Sequence, residues 1–209
     1  MRTLAVEQQS LGPLASARLD MHYVTWPREW QVQPWCALRA EGGPLREVGT
    51  HFIAALLELF GPTSVVRVRC ALSYPDGPDG RLAETACDGH LELASGLCVA
   101  LSVRTDGGGL AADGDDHYEL ELTGADGDAL LLDEFTTLIE TRRRKRKQLL
   151  RGRSYGRKEC VAALVAAATG DAESDAAQSA VTPRFGRNVQ RVLDALLASQ
   201  GGWETVVYG

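Results

Sequence analysis

The sequence has no long apolar run: no stretch approaches the ~20 residues that a membrane-spanning helix needs. Residues 1–20 also lack the continuous apolar core of a secretory signal, which favours a cytoplasmic protein. No C-x-x-C pair occurs, and no G-x-G-x-x-G follows a strand-like segment. The Gly107-Gly108-Gly109 run lies among aspartates, which would repel a pyrophosphate. A dithiol site and a dinucleotide-binding turn are therefore not expected in these 209 residues.

Cysteine is sparse, and its spacing carries no motif. The five cysteines are an odd number, and three of them lie in segments of alternating hydrophobicity, where a free thiol behaves as a small apolar group. We expect buried, reduced thiols, with a disulfide or a metal ligand as the alternatives. The five positions are Cys36, Cys70, Cys87, Cys98 and Cys160.

Positive charge is scarce outside one segment. Residues 142–158 hold ten of the 22 Lys and Arg and no acid, so the rest of the chain has 12 basic and 28 acidic residues, a net charge of −16. Such an acidic body argues against general nucleic-acid binding. The basic segment is interpreted as a solvated loop or helix face. Its alternative is a patch for a carrier protein, a nucleotide cofactor or an acidic subunit.

Most of the chain favours strands, because apolar and polar residues alternate in many segments. Ser95-Gly96 predicts a hairpin turn, and the Asp- and Gly-rich residues 106–116 predict a longer, mobile hairpin loop. Short links between successive strands are typical of antiparallel sheets. The strand candidates are 17–23, 66–72, 90–93, 97–103, 118–122, 129–132 and 205–208.

Three segments predict helices, each followed by glycine: 45–60, 159–169 and 185–199. Many consecutive strands with few helices indicate one α+β domain over residues 1–209. We expect an open, mainly antiparallel sheet of about six to eight strands with its helices packed on one face.

The segment GGPLREVGTHFI at 42–53 resembles the Gly-Gly-x-x-x-Asp-x-Gly-x-His-x-x-Asp signature of the C-terminal domain of Gfo/Idh/MocA oxidoreductases. Glu47 stands at the signature's acidic position, and Ala54 replaces its second Asp. Residues 88–96, 120–128 and 188–199 are similar to later parts of the same domain, so the resemblance runs from about Leu11 to the C-terminus. It implies the same α+β fold.

The resemblance also implies a function, that of the substrate-binding half of an oxidoreductase. These 209 residues contain neither a Rossmann domain nor the Glu-Lys-Pro motif that holds the family's catalytic Lys. We therefore expect no cofactor to bind this chain alone, and NAD(P) only where a separate Rossmann subunit supplies the site. Other expected partners are a small-molecule substrate, a possible carrier protein and a second copy through the sheet face, but neither nucleic acid nor membrane.

Three alternatives to this function remain open. The chain could be a cofactor-free lyase, isomerase or cyclase that uses His51 as general acid or base. It could be a non-catalytic binding or scaffold subunit, or a fragment of a longer chain.

Glu47 and His51 are the candidate catalytic residues. They lie four positions apart on a predicted helix and should share one face. A carboxylate beside an imidazole would orient the ring and raise its pKa. In the family that the chain resembles, this His exchanges a proton beside the reacting carbon. The Gly42-Gly43 turn would let the backbone approach a ligand. A His–Glu pair that only stabilises the helix is the alternative.

An aromatic stretch precedes this helix and includes Tyr23, Trp26, Trp30 and Trp35. It predicts a tryptophan-lined pocket for an apolar or cyclic substrate, with a small hydrophobic cluster under a loop as the alternative.

His22 and His90 occupy polar positions of two strand candidates, next to acidic residues. If those strands were neighbours, a metal could bind between the two rings. The preferred interpretation is a polar sheet face that packs on a second subunit.

Overall fold

The structure, a computed structural model, describes residues 2–76, 80–135, 137–150 and 182–209. Its helices are α1 (Arg2–Gln9), α2 (Thr50–Phe60) and α3 (Pro183–Ala198), and a π-helical turn, Leu45–Gly49, leads into α2. Short 3-10 turns lie at Pro34–Ala37 and Gly109–Asp113. The strands are β1 (Leu14–His22), β2 (Val65–Ser73), β3 (Ala86–Leu93), β4 (Cys98–Arg104), β5 (His117–Gly124), β6 (Ala129–Asp133), β7 (Thr137–Arg142), β8 (Lys145–Leu150) and β9 (Glu204–Thr205).

The strands form one sheet in the order β8-β7-β6-β5-β1-β4-β3-β2-β9. All neighbouring pairs are antiparallel except β1 and β4, which run parallel. The expected open, mainly antiparallel α+β fold is confirmed, with nine strands in the described ranges rather than six to eight.

The core lies between one sheet face and the helices α2 and α3. Alternate strand residues such as Leu19, Leu101 and Leu120 are buried there, because successive side chains of a strand point to opposite faces. Each buried Leu contributes about 1.5–3 kcal/mol relative to exposure. The helices add Phe52, Ile53, Leu56, Leu57, Val189, Val192, Leu193 and Leu196 to this core.

The loop at 106–116 differs from the prediction. It is not a hairpin, since β1 lies between β4 and β5 in the sheet. It crosses the end of β1 and is hydrogen-bonded to it: Gly107 N donates to Tyr23 O, and Val24 N donates to Asp116 Oδ1. The Asp- and Gly-rich composition that predicted a hairpin thus belongs to a loop that connects β4 to β5 across the end of β1.

The basic segment also differs. Its first part forms β8 and the end of β7, joined by Arg143 and Arg144, which both have positive φ. Two positive-φ residues between paired strands are typical of the tight turn that matches strand twist. The interpretation as a loop or helix face is therefore wrong for 142–150. Residues 151–158 lie outside the described residues, as does the predicted helix at 159–169.

Two of the five thiols are not reduced. Cys70 and Cys87, on the neighbouring strands β2 and β3, form a disulfide with a Cα–Cα distance of 6.2 Å. Cys36 is free and buried, and Cys98 is free and exposed. Cys160 lies outside the described residues. The expectation of reduced thiols is wrong for the pair, and the cytoplasmic location stays a prediction. Among the described residues, no helix has the length and hydropathy to cross a membrane.

Candidate functional site

The predicted site residues lie between the carboxyl end of β1 and the first turn of α2. The helical segment begins against Glu84, a buried acid whose Oε1 accepts a hydrogen bond from Leu45 N at 2.9 Å. Burial raises the pKa of this carboxyl, and the Leu45 bond opposes that shift. Glu84 therefore occupies the helix start, where unpaired backbone N–H groups favour an anion.

The Gly42-Gly43 turn is needed for packing within the chain. A Cβ on Gly42 would lie 2.4 Å from the carbonyl oxygen of Trp35, and one on Gly43 would lie 2.6 Å from the Glu84 carboxylate. The expectation that this turn lets backbone approach a ligand is wrong at these two positions, because the space is already filled by the chain itself.

Glu47 does not orient His51. Its Oε2 accepts a hydrogen bond of 2.6 Å from Gln31 Nε2, and Cys36 lies against the same carboxylate. Burial, followed by the neighbouring Glu47, raises the pKa of the Cys36 thiol. Glu47 thus ties the loop before α2 to the helix rather than pairing with the imidazole.

His51 is exposed on α2, and the ring of Phe135 packs against it at 5.4 Å in an edge-on arrangement. Within the described ranges, no hydrogen bond or ion pair holds its imidazole. Although the residue is exposed, the partial loss of hydration lowers its pKa. The expected rise of this pKa by Glu47 is therefore wrong, because loss of hydration disfavours the charged ring.

Phe135 reaches His51 because of an unusual turn between β6 and β7. Glu134 and Phe135 both have positive φ, which non-glycine residues rarely adopt. The Phe135 ring also lies 4.3 Å from Phe52 and 5.4 Å from Tyr118. These aromatic contacts offset the cost of the backbone conformation, which is on the order of 1–3 kcal/mol per residue.

Three of the four predicted aromatic residues come together around one cation. The guanidinium carbon of Arg28 lies 5.4 Å from the ring centroid of Tyr23, 5.2 Å from Trp26 and 4.5 Å from Trp30. Such cation–π contacts are worth about 0.5–2 kcal/mol each. Trp35, in contrast, has no ring contact among the described residues.

The four predicted aromatic residues differ in how far they are exposed. Tyr23 is fully buried, and burial raises the pKa of its hydroxyl. Trp26 is half-buried and donates from Nε1 to Cys36 O at 3.0 Å. Trp30 and Trp35 are 69% and 41% exposed. Trp30 and Trp35 thus present aromatic surface to solvent, and the tryptophan-lined pocket stays a prediction. A cavity of about 310 Å³ lies elsewhere, between β2 and the end of α3, and is lined by Arg39 and Tyr74 among others.

His22 and His90 do not form a metal site. Strand β4 lies between their strands, and His22 stands opposite Arg104 whereas His90 stands opposite Ala100. No group of three or more His, Cys, Asp or Glu in the described part of the chain is placed to hold a metal ion.

His22 has a structural role. Its Nδ1 accepts a hydrogen bond from Leu110 N at 2.9 Å, so the proton of the neutral ring is on Nε2, which donates to Ser102 Oγ at 2.9 Å. Burial lowers the pKa of this imidazole. His22 therefore fixes the 106–116 loop onto β1 in its neutral form.

The chain itself occupies the glycine run at 107–109 and two of the helix starts. Asp106 Oδ1 accepts the Gly108 N–H, and a Cβ on Gly109 would lie 2.6 Å from His22 Nδ1. The helical start at Leu45 faces the Glu84 carboxylate, and α3 is capped by Thr182. A pyrophosphate needs open backbone N–H groups at a helix start, and these two starts do not offer them.

Residues 4–206 match the family model described as the oxidoreductase family, C-terminal alpha/beta domain. The chain belongs to this oxidoreductase family. No curated protein matches it.

Solved structures share the fold of this oxidoreductase-family domain. Levoglucosan dehydrogenase in its apo form has a TM-score of 0.70 at 17% identity, covering 99% of this chain and 62% of that one. A putative NADPH-dependent oxidoreductase from Desulfitobacterium hafniense has a TM-score of 0.72 at 15% identity, covering 98% and 61%. A putative oxidoreductase from Thermotoga maritima gives 0.69 at 16%, covering 98% and 58%. The chain spans about three fifths of their length.

Sequence reasoning missed four residues of the site: Arg28, Gln31, Phe135 and Glu84. Only Arg28 carried a local signal, since a basic residue between Trp26 and Trp30 is well placed for cation–π contacts. The other three act through contacts between segments distant in sequence.

Proposed function

We propose that this oxidoreductase-family domain binds the small substrate of an NAD(P)-dependent oxidoreductase, with His51 as the group that exchanges a proton with the substrate hydroxyl. The observation that carries the proposal is the His51 imidazole: it is exposed, without a hydrogen bond to the described residues, and beside an aromatic surface. Because its pKa is lowered, the ring is ready to accept a proton at neutral pH.

A cyclic polyol is the first substrate class to test. Levoglucosan dehydrogenase, similar to this chain in fold, has been solved with NADH and levoglucosan and with NADH and L-sorbose. An exposed aromatic such as Trp30 can stack on the apolar face of a sugar ring, as aromatic residues in ligand sites commonly do.

The nucleotide site belongs, in this proposal, to a separate Rossmann subunit. Support comes from the poor fit of the described glycine turns and helix starts to a pyrophosphate. The tagged chain is prepared in two forms, one purified alone and one isolated from its own cells with any bound partner. Both are titrated with NADH and NADPH by fluorescence and assayed for polyol oxidation. We expect nucleotide binding and turnover only in a complex with a nucleotide-binding protein, with turnover lost in His51→Ala.

Saturable NADPH binding by the chain alone would contradict the separate subunit. A His51→Ala complex that keeps full activity would contradict the role of His51. Glu47→Gln is the control for the helix start. We expect it to lose less turnover than His51→Ala, since an amide at position 47 retains a hydrogen bond to Gln31.

We also propose a homodimer through the open sheet face, where Arg18, His90 and Ala100 lie in adjacent positions of three strands. A face with mixed charge and small residues can pack on its own copy. Light scattering should report a dimer for the wild type and a monomer for Ala100→Glu. Ala125→Glu, in an exposed turn, is the matched control and should stay dimeric. A monomeric wild type would contradict the proposal.

A further inference from the structure

Arg28 holds a positive charge that no carboxylate in the described part of the chain neutralises. Its backbone N and Nε both donate to Gln31 Oε1, at 2.9 and 3.2 Å. Its guanidinium lies against the rings of Tyr23, Trp26 and Trp30. The two terminal nitrogens have no hydrogen bond or ion pair to any described residue.

Three other arginines of the domain are paired with carboxylates. Arg18 contacts Asp20 at 2.8 Å, Arg67 contacts Glu92 at 2.6 Å, and Arg104 contacts Asp88 at 2.8 Å. Arg28 differs from these three because its environment is aromatic: the rings fix the plane of the guanidinium, and its terminal nitrogens have no hydrogen bond to the described residues.

Gln31 lies between the Arg28 guanidinium and the Glu47 carboxylate. Its side-chain oxygen accepts from Arg28, and its side-chain nitrogen donates to Glu47 at 2.6 Å. The amide thus stands between the cation and the carboxylate and holds both in place. An arginine with a fixed plane and two free terminal nitrogens matches the geometry of a carboxylate or a phosphate.

The position of this cation connects it to the proposed catalytic group. Glu47 lies four residues before His51 on the helical segment that starts at Leu45, and Gln31 joins Glu47 to Arg28. We propose that Arg28 binds an anionic oxygen group, carboxylate or phosphate, of the small substrate on which His51 acts. This inference rests on the proposed function and adds the substrate's charge to it.

The test is a titration followed by tryptophan fluorescence, because Trp26 and Trp30 both lie against the guanidinium. The probes are D-glucuronate, D-glucose 6-phosphate and their neutral counterpart D-glucose, added to the full chain in the complex in which it is isolated. The variants are Arg28→Gln and Arg28→Lys. Arg39→Gln is the matched control, since Arg39 also stacks on an aromatic ring, 3.9 Å from the centroid of Tyr74.

We expect at least one anionic probe to bind at least tenfold more tightly than glucose. Arg28→Gln should remove that preference, whereas Arg39→Gln should keep it. Arg28→Lys keeps the charge without the planar fork and should retain only part of the preference. Whether glucuronate or the phosphate is preferred identifies the anionic group. Circular dichroism checks that each variant is folded; if Arg28→Gln does not fold, Arg28→Lys decides.

Three results would overturn the inference. If glucose binds as tightly as both anions, the substrate-binding role stands but Arg28 does not select charge. If no probe gives a saturable change, both this inference and the polyol form of the proposed function fail. Equal losses in Arg28→Gln and Arg39→Gln would assign the effect to surface charge in general.

Discussion

His22 and His51 lie in two regions of the domain that treat an imidazole in opposite ways. His22, on β1, is buried, and both ring nitrogens are hydrogen-bonded, to Leu110 N and Ser102 Oγ. His51, on α2, is exposed and has only an aromatic neighbour, Phe135. The ordinary pKa of both is lowered by loss of hydration, so that property does not separate them.

The difference teaches that hydrogen-bond saturation separates a structural histidine from an available one. A ring with both nitrogens engaged cannot exchange a proton with a substrate without breaking the fold's own bonds. A ring without such bonds costs the fold little and keeps its nitrogens for chemistry.

The largest effect should come from His22→Ala. It removes a buried ring and leaves the Leu110 N–H without its acceptor, so we expect the free energy of unfolding to fall by about 2–4 kcal/mol. Urea unfolding measures the change. His117→Ala is the control: it removes a partly exposed hydrogen bond to Asp113 and should cost far less than His22→Ala. Equal losses would contradict a special role for His22.

Gly109→Ala tests the same contact from the loop. A Cβ there would lie 2.6 Å from His22 Nδ1, and the φ of +64° already disfavours a side chain. We expect a loss of about 2–3 kcal/mol. Gly127→Ala has a similar φ of +81° with open space around the Cβ and should lose only about 1–2 kcal/mol. The gap between the two variants, measured by thermal unfolding, reports the contact with His22.

The pH dependence of the free energy of unfolding should also distinguish the regions of His22 and His51. Because the pKa of His22 is lower in the folded state than its ordinary 6.5, the unfolded chain binds the proton more readily. The His22 contribution to stability is therefore complete above pH 6.5 and is lost as pH falls from there through the folded pKa. His22→Asn, which keeps an acceptor for Leu110 but cannot titrate, should flatten this slope, by at most about 1.4 kcal/mol per pH unit.

Asp20 and Glu119 act in the opposite sense at lower pH. Burial raises the pKa of both carboxyls, so each favours the folded state more strongly as pH falls through its raised pKa. The comparison of wild type with His22→Asn cancels the contribution of Glu119, whereas Asp20, whose Oδ1 lies 3.9 Å from His22 Nε2, remains coupled to the substitution. An unchanged slope in the variant would show that His22 is not the titrating group.

The smallest effect on stability should be that of His51→Ala. An exposed ring with one aromatic contact contributes less than about 1 kcal/mol. Chemical denaturation of the variant beside the wild type measures it. A loss comparable to that of His22→Ala would place His51 among the structural residues and remove the basis of its proposed role.

The sequence predicted most of the central sheet because its strands bury one face. In β1, β4 and β5, residues such as Leu19, Leu101 and Leu120 alternate with polar ones, and burial enforces that pattern. Strand β8, at one end of the sheet, was missed because it is rich in cations such as Arg146 and Lys147. Strand β7 was missed because its two buried residues, Leu138 and Ile139, are adjacent rather than alternate. The parallel pairing of β1 with β4 was missed because local patterns do not specify partners.

The candidate site was predicted in part. Helical spacing placed Glu47 and His51 on one segment, but it could not show that Glu47 bonds to Gln31 instead. The aromatic stretch indicated a cluster near the helix, and Tyr23, Trp26 and Trp30 do meet there. What joins them is a long side chain, that of Arg28, whose position depends on the loop conformation and not on any periodic pattern.

The central place of β1 has a consequence for how the chain folds. Strands β2–β4 and β5–β8 each form by successive antiparallel neighbours, but β1 pairs on both sides with strands made much later: Leu19 faces Leu101 and Leu120, 82 and 101 positions further on. Such distant pairings are slow to form, because a long loop must close before any contact compensates for it. During synthesis the first strand therefore has no native partner until β4 has left the ribosome, and its second edge is paired only after β5 has followed.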